Sequence, residues 1–92
     1  MSKAPRSRRA IVLDPADHVA TALVPLAAGQ VVDGITLAAD IPAGHKFARR
    51  AIPTGTPVLK YGQPIGRATT PITPGQHVHT HNLISARAGS GN

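Results

Sequence analysis

The sequence predicts a small all-β domain built from short strands and tight turns. Nine glycines and nine prolines make up about a fifth of the 92 residues, a composition that breaks helices and favours turns. A unit of the form apolar–x–x–Gly–x–x–apolar recurs four times, around Gly29, Gly44, Gly55 and Gly75. Because proline presets φ and glycine accepts a positive φ, each unit predicts a turn between two extended segments. No window shows the long 3.6-residue apolar periodicity of an amphipathic helix.

Short apolar runs between these turns predict the strands. The first is residues 10–13, and further candidates are residues 34–37, 47–48, 58–61 and 65–68. Residues 15–23 are the exception, because Asp14 or Asp17 could cap one short helix there. We expect residues 1–9 to form a disordered basic tail, residues 10–84 the folded domain and residues 85–92 a flexible C-terminal tail.

Composition excludes several classes of function. The absence of cysteine excludes a disulfide scaffold, a cysteine-based zinc finger and a thiol nucleophile. The net charge is +6, but four of the ten basic residues lie in the N-terminal tail and Phe47 and Tyr61 are the only aromatic residues. A nucleic-acid partner is therefore not expected, since RNA-binding sheets use stacking aromatics. No apolar run is long enough to span a membrane and no signal peptide is evident, so the expected location is the cytoplasm.

Three histidines alternate near the C-terminus, at His77, His79 and His81. On an extended strand this spacing places all three imidazoles on one face. Imidazoles are poor core residues, because each ring carries two polar nitrogens, but they are common metal ligands and acid–base groups. The alternative is that they simply face solvent or a partner without holding any ligand.

A second polar cluster, His45 and Lys46, directly follows the turn glycine Gly44. Together with the alternating histidines it allows two kinds of chemistry. The imidazoles could hold Zn²⁺, Fe²⁺ or Mn²⁺ as a Lewis acid, or serve as general base and general acid while Lys46 binds a substrate carboxylate. None of the four aspartates is near the alternating histidines in sequence.

Three segments carry a resemblance to a known family: residues 40–48, 58–68 and 75–82. In this order they resemble the N-terminal domain of the altronate and D-galactarate dehydratases, over roughly residues 11–84. That domain is a SAF-type module with a β-clip fold. The resemblance therefore implies a small β-clip domain.

The resemblance also implies a function. It suggests the small subunit of a sugar-acid dehydratase, inactive alone and completed by a large subunit, which eliminates water with the help of Fe²⁺ or Mn²⁺. Carried over to this sequence, the expected catalytic residues are His45, Lys46 and His79. Lys46 and Asn82 are expected to bind substrate oxygens, and His77, His79 and His81 to bind the metal. The alternative is a non-catalytic SAF-type carbohydrate-binding or assembly module, although a sugar-binding surface would be expected to show more aromatic residues.

Overall fold

The computed structural model describes residues 8–85, and this part of the chain contains nine strands and no helix. The strands are β1 (Ala10–Ile11), β2 (Val19–Ala22), β3 (Val31–Val32), β4 (Ile35–Thr36), β5 (Lys46–Ala48), β6 (Pro57–Lys60), β7 (Gln63–Ala68), β8 (His77–Val78) and β9 (Leu83–Ser85). The predicted all-β class with short strands is confirmed. The predictions for residues 1–7 and 86–92 lie outside the described residues. Within residues 8–85, no helix is long and apolar enough to cross a membrane, and the expected cytoplasmic location stays a prediction.

The strands form three antiparallel groups. A four-stranded sheet has the order β1-β2-β5-β8, a three-stranded sheet has the order β6-β7-β9, and β3 and β4 form a hairpin. The four-stranded sheet joins strands that are far apart in sequence, with β1 and β8 at its two edges and β2 and β5 between them. This sheet positions the site described below.

The helix predicted for residues 15–23 is wrong. Residues 19–22 are instead β2, an inner strand that pairs with β1 on one side and β5 on the other. Three of its four residues are buried, because the sheet is covered on both faces. A short apolar run of this kind cannot be distinguished from a buried helix segment by its pattern alone.

Asp17 does not cap a helix but accepts hydrogen bonds from a hairpin that is distant in sequence. Its carboxylate is 1% exposed and accepts hydrogen bonds from the backbone N–H groups of Tyr61 at 2.7 Å and Gly62 at 2.8 Å. Tyr61 and Gly62 both have positive φ and connect β6 to β7. Burial raises the pKa of Asp17, but these backbone hydrogen bonds and the charge of Arg49 outweigh it, so the pKa lies below its ordinary value.

The four glycine units are turns, as predicted. The four glycines have φ between 83° and 89°, and in each turn the N–H after the glycine donates to the carbonyl three residues earlier. This is the hydrogen bond and conformation of a turn that requires glycine at its third position. The turns associate in pairs, since Leu26 bridges Ile41 and Ile52 bridges Ile72.

Two apolar cores lie on opposite faces of the four-stranded sheet. Phe47 and Ala20 belong to the first core and Ala48 and Val19 to the second, as the alternation of side chains along a strand requires. Each core includes one of the two bridged turn pairs. The central strands β2 and β5 are therefore fixed from both sides, which gives a rigid base to the residues at their ends.

Candidate functional site

Three histidine side chains meet at one end of the four-stranded sheet. His45, His77 and His79 each offer a ring nitrogen, and these nitrogens lie within 4.8 Å of one another. His45 Nδ1 and His77 Nε2 are 2.9 Å apart and share a hydrogen bond. The rings stack, with centroid distances of 4.4 Å for His45–His79, 5.1 Å for His45–His77 and 5.5 Å for His77–His79. We call these three residues the imidazole cluster.

The register between β5 and β8 assembles this cluster. Phe47 is paired with His77, and Lys46 with Val78. One step further along the same antiparallel register, His45 comes opposite His79. His45, His77 and His79 therefore share the sheet face of Phe47, and the predicted common face of His77 and His79 is found.

The strand predicted to continue through His81 ends at Val78. The backbone then turns, and the N–H groups of Asn82 and Leu83 both donate to the His79 carbonyl, at 3.1 and 2.9 Å. His81 is exposed. Its ring stands 5.4 Å from that of His77 at an angle of 43°, so His81 lies beside the imidazole cluster rather than within it.

Asn82 holds this turn from the inside. It is 1% exposed, its side-chain carbonyl accepts from the N–H of His79 at 3.0 Å, and its amide donates to the carbonyl of His77 at 2.8 Å. The side chain thus fixes the backbone of two members of the cluster. The expected contact with substrate oxygens stays a prediction, and the Asn82 side chain, 1% exposed, would have to become accessible to make it.

Lys46 occupies the opposite sheet face from the imidazoles. Its cross-strand partners are Thr21 and Val78, and the Thr21 hydroxyl is buried without a hydrogen-bond partner among the described residues. Burial and the positive charge of Lys60 lower the pKa of Lys46. Lys46 is therefore next to the cluster along the chain but lies on the opposite face of the sheet.

The surroundings of the cluster favour neutral imidazoles. Burial, and then the positive charges of His45, His81, His79 and Lys46, lower the pKa of His77. Burial, together with His45, Lys46 and His81, also lowers the pKa of His79. A neutral imidazole keeps one ring nitrogen free to accept a proton or bind a metal.

The donor set also fits a divalent transition metal. Two nitrogens bound to one ion at about 2.0–2.1 Å lie about 3.0–3.4 Å apart. The His45–His77 nitrogen separation of 2.9 Å is already close to this range, and separations of up to 4.8 Å can be closed by rotation of a side chain. The site therefore suits an ion with three nitrogen ligands from this chain.

Comparison with known proteins connects this geometry to a family. The family model described as the altronate/galactarate dehydratase SAF domain matches residues 8–86. The chain belongs to this family. Its all-β architecture agrees with the β-clip fold implied by the resemblance.

The relatives of this SAF domain include proteins of two sizes. Altronate dehydratase of Escherichia coli (strain K12) is 49% identical over 70 residues, which cover 72% of this chain but 14% of the relative. The (2R)-sulfolactate sulfo-lyase subunit alpha of Chromohalobacter salexigens is 35% identical over 88 residues, covering 84% of this chain and 94% of that subunit. The subunit of the same name from Paracoccus pantotrophus is 45% identical over 53 residues, covering 58% of this chain and 79% of the subunit. The matched residues make up a small part of the dehydratase but most of each alpha subunit.

The cluster in the SAF domain differs from the metal set expected from the sequence. His77 and His79 belong to both sets. The third member of the cluster is His45, whereas the alternating pattern predicts His81. The family resemblance suggests proton transfer or metal contact for His45, but the expected set of three metal ligands is His77, His79 and His81. The missing information was the pairing of β5 with β8, which the local pattern does not contain.

Proposed function

We propose that this SAF domain is the small subunit of a carbon–oxygen lyase that eliminates water from a sugar acid. It would supply the imidazole cluster to an active site that a large subunit completes. The observation that carries this proposal is the convergence of three half-buried imidazoles whose ring nitrogens lie within 4.8 Å of one another. Half-buried rings with few protein partners are suited to a cleft between two chains.

The names of the relatives support both parts of the proposal. The Escherichia coli relative is named a dehydratase, and the two relatives of matching size are named subunit alpha of a sulfo-lyase. Dehydration and sulfo-lyase reactions both expel a leaving group from an organic acid. The shared requirement is proton removal beside the carboxylate and stabilisation of the departing group.

The residues of this chain can handle the protons of such an elimination. One neutral imidazole can accept the proton from the carbon next to the carboxylate, and a protonated one can donate to the departing hydroxyl, which leaves as water. His45 and His77 share a hydrogen bond, so one ring donates while the other accepts. His79 stacks on His45 and is half-buried like the other two rings, so it can exchange protons with solvent beside the pair.

A ring nitrogen bound to a metal cannot also accept a proton, so metal binding is the alternative role of these rings: His45, His77 and His79 would hold the expected Fe²⁺ or Mn²⁺, which when bound supplies Lewis-acid polarisation of a substrate oxygen. Lys46 and Lys60 lie close enough for the positive charge of Lys60 to lower the pKa of Lys46. A substrate carboxylate there would relieve the repulsion between the two ammonium groups. This is the role that we propose for Lys46 at the margin of the site.

The test is turnover by the assembled complex. The SAF domain is co-expressed with its large subunit and assayed on aldonic acids, aldaric acids and (2R)-sulfolactate, with added Fe²⁺ or Mn²⁺. We expect elimination by the complex, no turnover by the isolated domain, and a loss of at least about a hundredfold in kcat for His45→Ala and His79→Ala, as for general acid–base groups. Thr80→Ala, an exposed change in the same turn, is the control.

Two results would redirect the assignment. Elimination of sulfite alone from the panel would make the chain a sulfo-lyase subunit. A complex that forms and turns over equally well with His45→Ala and His79→Ala would contradict a catalytic role, and would support the non-catalytic binding or assembly module instead.

A further inference from the structure

A cavity of about 370 Å³ lies at the far end of β5 from the imidazole cluster. Its apolar wall includes Val12, Ile35 and Phe47, and its polar wall includes Asp33, Arg49 and Arg50. Cavities of this size hold small organic ligands, which combine apolar contacts with a few fixed polar groups. Phe47 lines this cavity, and along the chain Arg49 follows it and His45 precedes it.

The two arginines are held in place by backbone carbonyls. Arg49 Nη1 donates to the carbonyl of Asp17 at 2.7 Å, and Arg50 Nη2 donates to the carbonyl of Pro15 at 3.0 Å. A guanidinium has five N–H donors, so each retains most of its donors after this contact. The anchoring reduces the conformational entropy that a ligand would otherwise have to remove.

Neither guanidinium is neutralised by an ion pair within residues 8–85. The charge of Arg49 lowers the pKa of Asp17, but the carboxylate oxygens of Asp17 already accept from the backbone of Tyr61 and Gly62. Asp33 lines the cavity but forms no ion pair with either arginine. Two adjacent positive charges above an apolar floor are therefore available to an anion.

We propose that this cavity binds a small aliphatic monocarboxylate. The planar guanidinium matches the geometry of a carboxylate, while Val12, Ile35 and Phe47 contact the hydrocarbon part. Asp33 disfavours a second negative charge on the ligand by like-charge repulsion. This site is independent of the imidazole cluster and of the proposed lyase activity.

Titration of the full chain with butyrate tests the proposal. Binding is followed by the amide NMR shifts of Gly34 and Ile35, and butyramide serves as a neutral ligand of the same shape. We expect saturable shifts with butyrate and binding at least about tenfold weaker for butyramide, the range of one charge-assisted hydrogen bond. Succinate, which carries two carboxylates, should also bind more weakly than butyrate.

Variants assign the effect to the arginines. Arg50→Gln should weaken butyrate binding at least about tenfold, whereas Arg67→Gln, a change at an exposed arginine of β7, should leave it unchanged. Arg49→Lys keeps the positive charge near the Asp17 carbonyl and is the second variant if Arg50→Gln is unstable. Equal binding of butyramide and butyrate, or unchanged affinity in Arg50→Gln and Arg49→Lys, would overturn the proposal, as would the absence of saturable shifts.

Discussion

His45 and His79 stack with their ring centroids 4.4 Å apart and their planes inclined by 18°. This contact joins residues from two different turns, one following Gly44 and the other following Val78. It depends on the antiparallel register of β5 and β8, which pairs Phe47 with His77. The imidazole cluster is thus a property of the sheet, and only His77 and His79 belong to one local sequence pattern.

Metal affinity distinguishes the imidazole cluster from the predicted ligand set of His77, His79 and His81. We expect His45→Ala and His79→Ala each to weaken Zn²⁺ or Mn²⁺ binding by at least about tenfold, because each removes a ligand. His81→Ala removes an exposed ring outside the cluster and should change affinity by less than about threefold. Isothermal titration of the purified domain measures all three. A larger loss of metal affinity for His81→Ala than for His45→Ala would contradict the imidazole cluster as the ligand set and would support His77, His79 and His81 instead.

The alternating histidines predict part of the imidazole cluster. Turn hydrogen bonds and strand pairing explain the rest. Period-two alternation predicts that His77 and His79 share a face, and they do because His77 begins β8 and His79 directly follows its last residue, Val78. His81 departs because the carbonyl of His79 accepts from Asn82 and Leu83, which turns the chain before the next alternation. His45 joins because of a pairing between strands about 30 residues apart, and nothing in a local pattern specifies such a register.

The fold was predictable where turn chemistry was explicit. All four glycine turns are found, with positive φ at Gly29, Gly44, Gly55 and Gly75. The strand β2 was not predictable, because it is covered on both faces and its residues therefore do not alternate between apolar and polar. Asp17 looked like a helix cap from the sequence, whereas its hydrogen-bond partners lie more than 40 residues away.

Gly75 is the turn glycine whose substitution should be most damaging. A Cβ at this position would lie 2.1 Å from the carbonyl oxygen of Thr36, whereas a Cβ at Gly55 would meet nothing within 4 Å. Both glycines have φ near 84°, so alanine at either costs about 1–2 kcal/mol of backbone strain. Gly75→Ala should lower the unfolding free energy by about 1–3 kcal/mol more than Gly55→Ala does, because the backbone at Thr36 must move to make room for the Cβ.

Urea unfolding of Gly75→Ala and Gly55→Ala measures this difference directly. The two variants share the same conformational penalty, so the gap between their unfolding free energies isolates the steric contact. Equal destabilisation by the two substitutions would show that Gly75 does not pack against Thr36 as closely as the structure shows.

Asp17 should make stability depend on pH in the acid range. Its folded-state pKa lies below the ordinary value of 3.8, because backbone hydrogen bonds outweigh the effect of burial. Folding therefore favours the carboxylate, and this contribution is fully present above the unfolded pKa and is lost as pH falls through the folded pKa. Asp17→Asn should lower the unfolding free energy by about 1–3 kcal/mol at pH 7.

The difference between wild type and Asp17→Asn should shrink as the pH is lowered below 3.8. Asp33→Asn is the matched control, since asparagine tolerates the positive φ of Asp33 and that carboxylate fastens no distant hairpin. Urea midpoints measured at several pH values follow both variants. A constant gap between wild type and Asp17→Asn down to strongly acidic pH would rule out this linkage.

Two roles for Asn82, positioning the turn and binding substrate oxygens, predict different effects of its substitution. Its side chain accepts from the N–H of His79 and donates to the carbonyl of His77. Asn82→Ala leaves both backbone groups without this partner, at a cost of about 1–3 kcal/mol in stability. It should also weaken metal binding about tenfold or more without removing a ligand, as substitutions behind a metal site do.

Thr80→Ala, in the same turn but exposed, should leave both the unfolding free energy and the metal affinity unchanged. Asn82→Asp still accepts from His79 but cannot donate to His77, and it buries a charged oxygen against the His77 carbonyl, so its unfolding free energy at pH 7 should fall at least as far as that of Asn82→Ala. If Asn82 instead binds substrate oxygens, Asn82→Ala should raise KM in the assembled complex while the isolated domain keeps its stability and metal affinity. The buried amide favours the first result, because its hydrogen-bonding groups are already used to hold the turn that carries His77 and His79.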